Sequence, residues 1–196
     1  MAVNLQKGQK ISLTKDNESL DKIILGLGWD QQEVKGGFFS RIKSANIDCD
    51  ATALLLKNGK ILSDKDIIYF GNLKHKSGSV VHTGDNLTGE GEGDDEQIIV
   101  ELKKVPEDYD RIVLVVNIYS AKQRNQHFGM IRNAFIRVVN AKNNQEICRY
   151  NLTENYDGLT ALIFGEVYRH NGEWKFNAMG QGTNDLNIME LANRYK

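Results

Sequence analysis

Short apolar runs separated by glycine-containing turns dominate the chain, and their period is that of strands rather than helices. Lys10 to Thr14 alternates, with Ile11 and Leu13 on one face. Ile23 to Trp29 is apolar and ends in Gly26-Leu27-Gly28-Trp29-Asp30. Ile112-Val113-Leu114-Val115-Val116-Asn117-Ile118-Tyr119 is β-branched and continuous, the pattern of a central strand. Ala134 to Val139 and Ala161 to Phe164 extend the series. Asn58-Gly59 lies between Leu54-Leu55-Leu56 and Ile61-Leu62, and Asn171-Gly172 between Val167-Tyr168 and Trp174-Lys175-Phe176. Asn-Gly accepts the positive φ angles of a type I′ turn, so both segments predict β-hairpins. Helix is expected only near the end, where Asn184 or Asp185 could cap a turn leading into Leu186, Met189 and Ala192.

Many short strands with so little helix predict an all-β fold, a two-sheet antiparallel β-sandwich with a short C-terminal helix. No repeat and no low-complexity linker divides the sequence, so residues 1–196 are read as one domain. Gln31 to Ala45, with a Gly-Gly pair, reads as a long surface loop.

Composition narrows the function. Twenty-five Lys plus Arg against 26 Asp plus Glu leave a net charge of −1, which argues against a general nucleic-acid binder. No apolar run approaches the roughly 20 residues of a membrane span, and the first residues lack the apolar stretch of a secretory signal. Cys49 and Cys148 make no disulfide framework and read as free thiols of a reducing cytoplasm. No nucleophile elbow or Walker A motif occurs, Gly26-x-Gly28 lacks the third glycine of a dinucleotide fingerprint, and the histidines are scattered.

Charge is uneven in one place. Gly84 to Glu96 holds six carboxylates, four glycines and no basic residue. A solvated acidic loop is the plain reading. Against it, like charges on a compact loop repel by roughly 4 kcal/mol per pair at 4 Å with an effective dielectric near 20. Alternating glycines can also turn carbonyl oxygens towards a common point. Oxygen-only donors suit calcium first and magnesium second, whereas zinc wants His and Cys. The loop is not an EF-hand, because Leu87, Gly89 and Glu90 occupy that motif's third, fifth and sixth positions. Asp48 and Asp50, two apart before Leu54-Leu55-Leu56, would share a strand face, either as an exposed strand entrance or as a second acidic feature at the same end.

The Gly26–Asp30 segment, Asp48-x-Asp50-Ala51-Thr52 and the Gly84–Glu96 loop resemble the bacterial TerD tellurite-resistance and general-stress-protein family. So do Phe128-Gly129, Ala134 to Asn140 and Phe164 to Phe176, in order along nearly the whole chain. The resemblance implies a cytoplasmic, non-catalytic β-sandwich that binds Ca²⁺ through acidic loops at one end. Its ligand candidates here are Asp30, Asp48, Asp50, Asp85, Asp94, Asp95 and Glu96, with backbone carbonyls between Gly89 and Gly93, Gly89 and Gly91 among them. Calcium ions, and other stress or tellurite-resistance proteins including membrane-associated ones, are the expected partners. The sequence departs from the pattern at Tyr119-Ser120, where the family has His-Asp, and at Asn151 to Asn155, which carries fewer charges. The alternatives are a metal-dependent hydrolase using the same carboxylates and a calcium-ordered adaptor, with Trp29 either on the partner surface or buried in the sandwich.

Overall fold

The computed structural model describes residues 2–15, 17, 19–31, 47–84 and 93–196. The strands in chain order are β1 (Val3–Leu5), β2 (Lys10–Ser12), β3 (Lys22–Gln31), β4 (Cys49–Leu56), β5 (Ile67–Ile68) and β6 (Val80–His82). They continue as β7 (Glu96–Glu101), β8 (Arg111–Ile118), β9 (Ile131–Asn140), β10 (Gln145–Asn151), β11 (Ala161–His170) and β12 (Glu173–Thr183). Among the described residues, two short α-helices, α1 (Ala121–Arg124) and α2 (Ile188–Ala192), and four single-turn 3₁₀ segments complete the regular structure. Two six-stranded sheets form, in the orders β1-β10-β9-β3-β7-β6 and β2-β12-β11-β8-β4-β5. This is the all-β sandwich that the pattern predicts. One pair departs from the antiparallel rule, since β1 runs parallel to β10.

Alternation along each strand decides what lies between the sheets. Ile23, Leu25 and Leu27 of β3 and Ile136 and Val138 of β9 meet Ala53 and Leu55 of β4 and Ile112, Leu114 and Val116 of β8 in one buried cluster. Trp29 belongs to that cluster, so its packing role holds and its partner-surface role does not. The runs Leu54 to Leu56 and Ile112 to Val116 are continuous because the second sheet is covered on both faces. Leu54, Leu56, Val113 and Val115 point outward and pack under Ile188, Leu191 and Ala192 of α2. Fully burying one such side chain contributes about 1.5–3 kcal/mol.

Two sequence expectations are corrected in detail. Asn171 and Gly172 take φ 52° and 77° and join β11 to β12 in the expected hairpin. Asn58 and Gly59 take the same conformation, but the turn closes only a Lys57–Lys60 bridge, and the returning strand β5 pairs antiparallel with β4 only further along, at Ala53 and Leu54. Between the turn and β5 the chain is drawn aside, the Ile61 N–H donating to the Tyr195 carbonyl oxygen at 2.6 Å. The C-terminal helix starts later than expected. Asn187 caps it, its side chain accepting from the Glu190 N–H, while Asp185 is engaged by Arg194 and Thr183. The Gln31–Ala45 loop falls, apart from Gln31, outside the described residues.

Candidate metal centre

Of the sequence candidates, Asp85, Gly89 and Gly91 lie outside the described residues, and the other six are placed at one end of the sandwich. Three levels separate them. Glu96 begins β7 and points inward, where its carboxylate crosses to the other sheet and accepts the Ala51 N–H at 2.5 Å. His82 of β6 completes this contact. Its Nδ1 accepts from the Gly84 N–H at 3.1 Å, so its Nε2 carries the proton and donates to the Ala51 carbonyl at 3.2 Å. Near Ala51 the edge of β4 has passed beyond β5, which pairs only with Ala53 and Leu54. Two side chains of the first sheet thus stand in for a missing strand. Both are buried, and Glu96 Oε2 lies 3.7 Å from His82 Nε2.

On the outer face of the second sheet, Asp50 is the cross-strand partner of Asn117, whose Nδ2 donates to its carboxylate at 3.4 Å. Asp48 precedes β4. Its carbonyl oxygen accepts the Tyr119 N–H at 2.8 Å, and its carboxylate faces Arg124 at 3.9 Å.

Asp94 lies on the opposite outer face, that of the first sheet. Its side chain packs over Gly26, where a Cβ would come within 2.2 Å of the carboxylate. Arg137 of β9 grips it with Nε at 2.7 Å and Nη2 at 3.1 Å, and Gln97 Nε2 donates to it at 3.0 Å. This pairing holds the guanidinium above its ordinary range. Asp94 and Asp50 are therefore separated by the thickness of the sandwich. Asp95 turns back instead. Its carboxylate accepts the Trp29 N–H at 2.8 Å, and its N–H donates to the Leu27 carbonyl at 2.7 Å. Desolvation first, and then the charges of Asp30 and Asp94, push its carboxyl above the usual range despite the hydrogen bond from Trp29. Asp30 follows a bulge in the β3–β9 ladder, is exposed, and accepts from Asn133 Nδ2 at 2.7 Å.

Cys49 marks where the acidic features meet. Its thiol is buried and pushed well up, by desolvation first and then by Glu96, Asp50, Asp48 and Asp95 in that order. Asp48 and Asp50 thus share an end with the start of β7, although more than 40 residues separate them in sequence. Among the described residues, no three His, Cys, Asp or Glu side chains are grouped so as to hold a metal ion. Sequence reasoning missed Arg137, His82 and Asn117. The one available signal was Asn117, the single polar residue inside an otherwise apolar strand.

A two-sheet sandwich with carboxylates from both sheets gathered at one end defines an acidic-ended β-sandwich protein. The family model for the TerD domain matches residues 1–195, and the chain belongs to that family. It is 54% identical over 198 residues to stress response protein SCP2 of Bacillus subtilis (strain 168), covering 100% of both chains. It is 49% identical to tellurium resistance protein TerD of Serratia marcescens, covering 93% of this chain and 91% of that one. The fold is shared with a crystallised homologue of telluride resistance protein (TerD), SCO6318 from Streptomyces coelicolor A3(2). That match has a TM-score of 0.67 at 19% identity and covers 90% of this chain and 98% of that one.

Proposed function

We propose that the chain is a non-catalytic, calcium-binding protein of the stress and tellurite response that works in the cytoplasm. The stress and tellurite part rests on family membership and on the names of its relatives, which are those of resistance and stress proteins rather than enzymes. The calcium part rests on one observation: the Glu96 carboxylate at the start of β7 reaches the Ala51 N–H beside Asp50, so the Asp48-Asp50 segment and the acidic segment before β7 meet at one end of the sandwich. The donor set fits a hard cation. Carboxylate oxygens dominate, and the only thiol among them is held protonated, so no soft ligand is on offer. Because no three of them are grouped among the described residues, Asp48, Asp50, Asp95 and Glu96 would hold the ion, with Asp30 and the Asp85, Gly89 and Gly91 oxygens of the neighbouring acidic segment, only after the acidic end rearranges around it. Asp94 would join only by leaving Arg137. The bound ion would neutralise the crowded carboxylates and order the acidic end as a surface for other stress-response proteins.

Calorimetric titration of chelator-stripped protein with Ca²⁺ tests this reading, with Asp48→Asn, Asp50→Asn and Glu96→Gln as variants. Each should weaken binding, and Zn²⁺ at equal free concentration should not displace Ca²⁺. Parent-like titration of all three variants would return these carboxylates to a structural role.

A further inference from the structure

The outer face of the second sheet carries a second feature. A groove of about 500 Å³ opens between the start of β4, the end of β8, α1 and the residues leading into α2. Its walls include Tyr69, Phe70, Tyr119, Leu186, Ile188 and Met189. Seven large apolar side chains are exposed among the described residues, and four of them (Phe70, Tyr119, Leu186 and Met189) line this one concavity. Scattered exposed apolar residues need no explanation, whereas a gathered set around a concave space of ligand size does.

The floor is polar where its strand neighbours are not. Along β8 the outward positions run Val113, Val115, Asn117, and the first two are capped by α2. Asn117 lies on the groove floor and is only 4% exposed. Its Nδ2 is spent on Asp50, and its Oδ1 is buried with no hydrogen-bond partner. A buried amide oxygen without a donor is costly, and a valine there would remove the cost. Asp50 stands beside it on the floor, so the groove presents two acceptor groups and a negative charge. On the rim Lys122 and Glu190 offset one another. Tyr69 and Phe70 meet edge to face at 5.2 Å, and Tyr119 has the Arg124 guanidinium over its ring at 5.2 Å, so the walls supply apolar surface while the floor supplies the acceptors.

We propose that this groove binds a primary organic ammonium ion. Its N–H groups donate to Asn117 Oδ1 and Asp50, and its hydrocarbon body lies against Phe70, Leu186 and Met189. A metal ion alone would leave the apolar walls unused, and a carboxylate would face Asp50 with the wrong sign. Asp50 also belongs to the calcium reading. The ammonium site rests on Asn117 and the walls, and calcium titration of the free protein tests the other reading separately.

The test uses the full chain in chelator, titrated with 2-phenylethylammonium, 2-phenylethanol and 2-phenylethyltrimethylammonium by calorimetry and by amide chemical shifts. The primary ammonium should bind roughly tenfold or more tighter than the uncharged alcohol, and tighter than the trimethyl compound, which has no N–H to donate. Shifts should centre on Tyr69-Phe70, Tyr119 to Gln123 and Leu186 to Glu190. Asn117→Leu should abolish the preference for the primary ammonium, and the exposed Phe70→Ser should weaken binding of all three probes without disturbing the fold. If Asn117→Leu does not fold, the probe ranking and Phe70→Ser still decide. No binding, equal binding of the three probes, or shifts centred elsewhere would overturn the proposal.

Discussion

Asp95 carries its charge where desolvation and two neighbouring carboxylates oppose it. A carboxyl raised in the folded state binds protons more readily there than in the unfolded chain. Its ionisation therefore costs stability at neutral pH, and the cost fades as pH falls through the raised value towards the ordinary 3.8. Asp95→Asn keeps an oxygen to accept the Trp29 N–H. In metal-free protein it should raise the melting midpoint at pH 7, with the gain shrinking to nothing below about pH 4 in a pH series of thermal melts. Arg137 poses the reverse case. The Asp94 side chain is 1% exposed, so Arg137→Met strands a buried carboxylate and should cost on the order of 2–4 kcal/mol in urea unfolding, discounted because the guanidinium itself is 28% exposed. Acidity at this end was legible in the sequence, because six carboxylates without a cation between them can be counted. Their partition was not. Alternation tells which residues share a face, but Arg137 looks like any polar position of a strand until β9 is known to lie beside β3.

At the scale of elements, β3 illustrates how a strand makes room for a charge. Gly26 and Gly28 leave its outer face bare, and into that space come the Asp94 carboxylate and, over Gly28, the Phe135 ring and the Gly93 carbonyl. Gly26→Ala should displace Asp94 from Arg137 and cost about 1–3 kcal/mol, read as a lower midpoint in thermal unfolding. The apolar periodicity that predicts β3, β8, β9 and β11 survives in the structure because each of these strands is interior to a sheet and its pattern reflects burial directly. Edge elements were harder to read. β5 has two residues and β6 three, too few for a period to show. The two Asn-Gly turns are alike in backbone, yet one joins its strands directly while the other reaches its returning strand, β5, only after a longer connection. The difference lies in which neighbours the flanking residues already have, information that no local window contains.

For the molecule as a whole, the core joins strands of both sheets through apolar contacts that need no metal. If the chain binds Ca²⁺ as proposed, removing it should leave the sandwich folded and loosen only its acidic end. One saturated site at a hundredfold excess over Kd stabilises by roughly 2.7 kcal/mol. At about 2–4 °C per kcal/mol for a chain of this size, the midpoint should rise roughly 5–10 °C. Scanning calorimetry with and without Ca²⁺ checks the shift, and hydrogen exchange should show Val113 to Val116 protected in both states. An unchanged midpoint would mean that the acidic run is solvated surface.

Residues 3–12 close one edge of each sheet. β1 completes one sheet by pairing with Val3↔Cys148 register on β10, and β2 completes the other through Ile11↔Phe176 on β12. Both short strands therefore depend on partners far along the chain, β10 and β12, before they are paired. Until then the edges of β10 and β12 stand open, and such long-range closure is slow and exposed to misassociation. A chain shortened by its first twelve residues should keep its core yet self-associate through those two edges, visible as concentration-dependent growth in light scattering that the full-length chain does not show.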